Sequence, residues 1–241
     1  MDISSLYHTA IEKSYDEDHA KIVETLQDLI KQGKTNVKLV NFYQGLPLAF
    51  PATLVSISHA TLDMDLHQQQ AVAISHDRFT FIRCSAFKHD VGAHVRYINL
   101  RKQAVSVDRF FFAEIMAERR NTVRLSLDPH PETIVTFQNE EFKGKLLNIS
   151  MGGVAIRMDR LPPLEAGCEA TLQFMLPNLV RNTVDAIRLS ACHVGIHESE
   201  HGPVLRMSFI PDKKDEQIIS QYLFQRQVEI IRGLKDASIL S

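Results

Sequence analysis

The sequence predicts a mainly β protein: two β-barrel-type domains, helices at the N-terminus, and a C-terminal helix packed on a six-stranded second barrel. Three observations carry that expectation. Short runs rich in β-branched and aromatic residues recur between residues 36 and 210 with turn residues between them, and evenly spaced short strands close into barrels or sandwiches. Helical spacing of apolar residues is confined to the two ends of the chain. The 241 residues suffice for two small domains, each with its own core.

Ile3, Leu6, Tyr7, Ala10 and Ile11 fall at helical spacing, which predicts a first helix over 2–13. Ser14-Tyr15-Asp16-Glu17 reads as a capping box that opens a second helix. In it Ile22, Val23, Leu26, Leu29 and Ile30 form one stripe, Lys31 sits in the last turn and Gly33 supplies the stop. The two stripes are out of phase across 16–18, which favours two helices over one. Packing on the following barrel is the plain reading; partner binding or formation of a homodimer through these helices is the alternative. Strands are predicted at 37–40, 53–58, 79–82, 95–98 and 105–107, with Phe110, Phe111 and Phe112 as core or interface residues. Further strands are predicted at 133–137, 142–149, 154–158, 170–174, 186–194 and 204–210, the first two joined by a turn at 138–141. Pro211-Asp212 opens the terminal helix, whose apolar face is Ile218, Ile219, Tyr222, Leu223, Ile230 and Ile231. The expected division is a helical segment 1–34, a β-domain 35–112, a linker 113–124 and a barrel with its helix 125–241.

Composition narrows the function classes. A formal net charge of −2 gives no global positive field for non-specific nucleic-acid binding, so basic character is local, at 119–124. Cys84, Cys168 and Cys192 are odd in number and widely spaced, which suits a reducing cytoplasm. The N-terminal residues are acidic where a secretion signal would be basic and then apolar, and no run reaches the ~18 apolar residues of a membrane span. A cytoplasmic protein without a membrane span is expected.

Several short motifs suggest catalysis and fail on context. His197-Glu198-Ser199-Glu200-His201 is a literal H-E-x-x-H, but zinc hydrolysis needs both histidines on one helical face. Gly195 before it and Gly202-Pro203 after it leave no room for that helix, and a charged hairpin loop between paired strands is the better reading. His76-Asp77 and His89-Asp90 resemble fragments of metal phosphohydrolase sites, yet both fall in β-like sequence without further ligands. There is no phosphate loop, nucleophile elbow or dinucleotide fingerprint. The expectation is no enzyme, no catalytic residues, no metal and no cofactor.

Arg119, Arg120 and Arg124 fall within six residues, and Asn148-Ile149-Ser150-Met151-Gly152-Gly153 follows 24 positions after the last of them. The arginines offer planar, permanently charged forks that suit phosphate oxygens and the acceptor edge of guanine. The second segment offers a small polar turn whose glycines permit close approach and backbone angles other residues avoid. R-x-x-x-R alone is an ordinary solvated basic run, and N-x-S-x-x-G alone is an ordinary strand-ending turn. Together they describe a receptor for a phosphate-linked guanine ligand.

On these residues the chain resembles the PilZ domains, small β-barrels that bind the bacterial second messenger cyclic di-GMP. Arg120-x-x-x-Arg124 and Asn148-x-Ser150-x-x-Gly153 match both signature motifs, Asn148 replacing the more usual Asp. The similarity runs from about residue 118 to the C-terminus, and the β-rich segment before it makes the whole chain similar to YcgR-like two-domain proteins. The resemblance implies that Arg120 and Arg124 clamp cyclic di-GMP, that Asn148 and Ser150 contact guanine and nearby polar groups, and that Gly152 and Gly153 allow close approach. Arg119 would add a stacking surface or second contact, favouring an intercalated ligand dimer. It also implies a protein partner, among them flagellar motor components, in motility or biofilm control. Two alternatives stand beside it: a ligand-responsive nucleic-acid-binding regulator, against which the mildly acidic composition weighs, and an adaptor using the PilZ-like fold without ligand.

Overall fold

The computed structural model describes residues 6–178 and 180–239. The chain forms two compact units, Met1–Asn121 with Ile231–Ser241, and Thr122–Ile230.

The first unit runs β1 (Tyr7–Thr9), α1 (Tyr15–Lys31), β2 (Asn36–Tyr43), β3 (Leu46–Ser58), β4 (Thr61–Leu66), α2 (Gln68–Asp77), β5 (Phe79–Arg83), β6 (Asp90–Asn99) and β7 (Ala104–Ile115). Strand pairing follows the order β7, β4, β3, β2, β5, β6, and a further β6–β7 pairing closes the circle. The result is a six-stranded antiparallel barrel with β1 added to β7. Phe110 and Phe112 fill its interior, with Phe110 fully buried. Helix α1 closes the barrel with Ile22, Leu26 and Leu29, the stripe its sequence predicts, each side chain contributing about 1.5–3 kcal/mol by leaving water. Its start is capped as expected: the Glu17 amide donates to Ser14 Oγ, whose hydroxyl donates to the Glu17 carboxylate at 2.8 Å.

Two local expectations are corrected. The helix expected over 2–13 is not formed where the chain is described, because Tyr7–Thr9 is a strand paired with β7; Ile3 lies outside the described residues. The Tyr7 ring packs against Phe79, Phe81 and Phe111, a tertiary aromatic cluster that outweighs helical spacing over so short a run. Helix α2 was not anticipated, and it places His76-Asp77 in a helical last turn rather than in β-like sequence. The two side chains simply pair with each other at 2.8 Å.

The second unit runs β8 (Leu125–Ser126), β9 (Glu132–Phe137), β10 (Glu140–Ser150), β11 (Gly153–Met158), β12 (Glu169–Asn178), β13 (Thr183–Ser199) and β14 (Gly202–Ser208), followed by α3 (Lys213–Ile239). Strands β10, β11, β14, β13, β12 and β9 pair in that order and β9 returns to β10, a second closed six-stranded antiparallel barrel with β8 added to β10. Asp212 accepts the Asp215 amide at 2.8 Å and caps α3. Ile219, Tyr222 and Leu223 of α3 are buried, and its Gln225 reaches Asn178 at the end of β12. From Ile231 onward the chain belongs to the first unit, not to the barrel that the sequence led us to expect. There Leu234 packs with Leu48, Val72 and Ala73, and Gln68 Nε2 donates to the Ser238 carbonyl. Helix α2 supplies Val72 and Ala73 of that apolar seat. No helix among the described residues is long and apolar enough to cross a membrane.

Candidate functional site

In the second unit the Asn148–Gly153 segment spans the end of β10, a turn and the start of β11. Along β10, Phe142, Gly144 and Leu146 are buried and the residues between them are exposed, the period-two pattern of a half-buried strand. Carried on unbroken, that alternation would send Asn148 and Ser150 into the core. A β-bulge between Leu146 and Asn148 shifts the phase by one residue. Ile149 is therefore fully buried, while Asn148 is turned to the outer face of the barrel. Its cross-strand partners are Ser126 on β8 and Ala155 on β11, and Ala155 in turn pairs with Arg206 on β14. One lateral row thus holds Ser126, Asn148, Ala155 and Arg206.

Ser150 pairs with Gly153 and its hydroxyl donates to the Gly153 carbonyl at 3.1 Å, closing the turn. The side chain is largely buried, so its further capacity is as an acceptor. Neither Gly152 nor Gly153 adopts a positive φ, which removes unusual backbone angles as the reason for glycine here. Gly153 has a different one: a Cβ there would sit 2.8 Å from the Met207 carbonyl oxygen of β14. At Gly152 the nearest atom would be the Phe209 carbonyl oxygen at 3.7 Å, an ordinary contact.

Arg124 stands just before β8 with an exposed side chain. Its guanidinium is nonetheless partly desolvated by the surrounding protein and lies within the field of Arg206, and both effects, burial first, hold its pKa below the ordinary arginine value. Arg206 shares the lateral row of Asn148 and belongs to neither motif. Its only signal in sequence is a lone cation in an apolar strand, which is too common to notice.

Arg119 and Arg120 belong to the first unit. A short 3₁₀ helix, Met116–Arg119, follows β7 and is tied down by Arg83. The Arg83 fork donates to Asp90 at 2.8 and 2.7 Å and to Glu118 at 3.1 and 2.7 Å, and these partners, Asp90 first, raise its pKa above the ordinary value. Arg119 donates to Glu114 at 2.9 Å. Arg120 is half-buried and follows the 3₁₀ turn in extended conformation. A surface groove of about 480 Å³ beside this segment is lined by Arg83, Lys88 and Arg119 against Asp90, Glu114 and Glu118. Three cations against three carboxylates leave it internally balanced and poorly suited to a dianion.

The H-E-x-x-H segment is a β-hairpin end: His197 lies in β13 opposite Val204, and Glu200 and His201 form the turn. The Ser199 hydroxyl donates to the Gly202 carbonyl at 2.6 Å, and the two histidines share no helical face.

Residues 118–225 match the family described as PilZ domain. No curated protein matches the chain. Among solved structures the chain is similar to the Bacillus subtilis inhibitor of motility, MotI/DgrA, at 16% identity over 81% of this chain and 96% of that chain, TM-score 0.44. It is similar to YcgR in complex with c-di-GMP from Escherichia coli at 16% identity over 94% and 100%, TM-score 0.44. The MrkH–c-di-GMP complex of K. pneumonia gives 14% identity over 94% and 100%, TM-score 0.43.

Proposed function

We propose, from the premise that residues 118–225 form a PilZ domain, that the chain is a cyclic di-GMP receptor that passes ligand binding on to a protein partner. The observation that carries the reading is the β10 bulge, which turns the motif residue Asn148 out of the core into a row that also holds a cation. Asn148 can read a guanine edge there, and the permanently charged forks of Arg119, Arg120 and Arg124 suit the phosphates and the guanine acceptor edge. Ser150 and Gly153 set the turn beneath the ligand, and Gly152 lies at its exposed tip. Charge-assisted bonds contribute about 1.5–3 kcal/mol each, so three of them account for much of the roughly 8 kcal/mol of a micromolar complex. The arginines lie in a segment joining two units, and ordering that segment on the ligand gives binding a route to domain rearrangement. The output we propose is control of a protein partner in motility or biofilm formation, flagellar motor components among the candidates. A net charge of −2 argues against a nucleic-acid partner.

Calorimetric titration with cyclic di-GMP, with GTP as control ligand, tests the reading. Selective binding at micromolar affinity or better is expected, and the stoichiometry reports one or two ligands per chain. No heat and no thermal stabilisation at ligand excess would leave a protein-interaction module with an unused site.

The Arg119–Glu114 pair makes a further expectation specific. A ligand that takes Arg119 must displace the Glu114 carboxylate, an exposed partner whose pairing is worth at most about 1 kcal/mol. Glu114→Gln should therefore tighten binding by up to about fivefold in the same titration. Unchanged affinity in that variant would mean that releasing the Glu114 carboxylate is no part of ligand binding, and would count against a role for Arg119.

A further inference from the structure

Arg206 lies outside both motifs, yet three features of the barrel converge on it. It shares the outward lateral row of Asn148, one strand removed, with Ala155 between them. Two strand spacings separate the backbones by about 10 Å, so Asn148 and Arg206 address different groups of one ligand. On its other side Arg206 pairs with Gly195, where a second bulge, between His193 and Gly195, interrupts β13. A Cβ at Gly195 would lie 3.3 Å from Arg206 Nη2, so the missing side chain gives the guanidinium its space along the sheet surface. The row is thus flanked by a bulge on each side, the feature barrels use to re-aim side chains at sites. Among the described residues neither Arg206 nor Arg124 forms an ion pair with a carboxylate, and the Arg206 charge bears on Arg124.

We infer that Arg206 is a specificity-determining residue of the ligand face, a barrel-borne guanidinium that takes a phosphodiester oxygen of the dinucleotide whose guanine Asn148 reads. This rests on the receptor reading above. Two like charges in each other's field, neither paired with a carboxylate among the described residues, are an arrangement an incoming anion relieves, and Arg206 brings that charge from a rigid strand rather than from the linker. GTP control binding should be weak, because a mononucleotide cannot satisfy Asn148 and Arg206 together in the same way.

The test is titration of the full chain with cyclic di-GMP for wild type, Arg206→Ala and Arg206→Gln, together with thermal melting of the ligand-free proteins. Both variants should bind at least tenfold more weakly, while their ligand-free melting temperatures stay at or above wild type. A merely structural arginine would lower the melting temperature instead. Arg206→Gln keeps the aliphatic stem over the sheet, so it decides the matter if the alanine variant is poorly folded. Wild-type affinity in the folded variants overturns this inference and leaves the receptor reading intact; no binding by the wild-type chain overturns both.

Discussion

Arg124→Ala is expected to weaken cyclic di-GMP binding at least tenfold without unfolding the barrel. The side chain is exposed and leads into β8, so truncation leaves no cavity in the core. What it removes is a fixed charge whose bonds to a phosphate or guanine acceptor contribute about 1.5–3 kcal/mol, and 1.4 kcal/mol is already tenfold. The effect on the free protein should have the opposite sign. Burial and the Arg206 charge both oppose the Arg124 charge, so its loss relieves a repulsion and the ligand-free melting temperature should hold or rise. Arg120→Ala should match it in affinity. His197→Ala is the control, because that residue lies in β13 toward the hairpin end and belongs to no part of the proposed site. A tenfold loss in His197→Ala, with Arg124→Ala unaffected, would mean that the ligand sits elsewhere on the barrel.

Much of this protein was readable from its residues, and the parts that were not share a cause. Strands with one face in a core announce themselves by alternation, so β9, β10 and β11 were expected close to where they stand. Helix α1 was readable because its stripe, cap and stop agree over seventeen residues. Helix α2 was not, since Gln70, Ala71, Val72, Ala73 and Ile74 are all buried in succession and a helix buried on most sides shows no stripe. Tyr7–Thr9 failed in the other direction: a helical spacing of apolar residues was real, but partners from β5 and β7 decided the conformation. The site divides the same way. Motif spacing pointed to Asn148, Ser150 and the arginines, whereas Arg206 reaches the row of Asn148 only through two strand registers that no local pattern encodes. The β10 bulge left a faint trace, because Leu146-Leu147-Asn148-Ile149 breaks the alternation at the residue where the phase changes.

The motif glycine gives the sharpest separation between folding and binding. Gly153→Ala should destabilise the second barrel by about 1–3 kcal/mol, the usual range for forcing a methyl group into a filled space. The new Cβ would stand 2.8 Å from the Met207 carbonyl oxygen, a backbone atom fixed by the β11–β14 ladder that cannot rotate away. The strands must part by a few tenths of an ångström, at the point where Gly153 pairs with Ser208 and its carbonyl holds the Ser150 hydroxyl. For a unit of this size each kcal/mol corresponds to roughly 4–8 °C, so a drop of several degrees is expected in a melting experiment. Gly152→Ala is the matched comparison: its Cβ meets only an ordinary 3.7 Å contact, and its melting temperature should stay near wild type. If Gly153→Ala instead melts like wild type while binding is lost, the glycine is needed for approach of the ligand. If it melts early and the remaining folded protein still binds, its place in the motif reflects the strand pairing that positions Asn148 and Arg206.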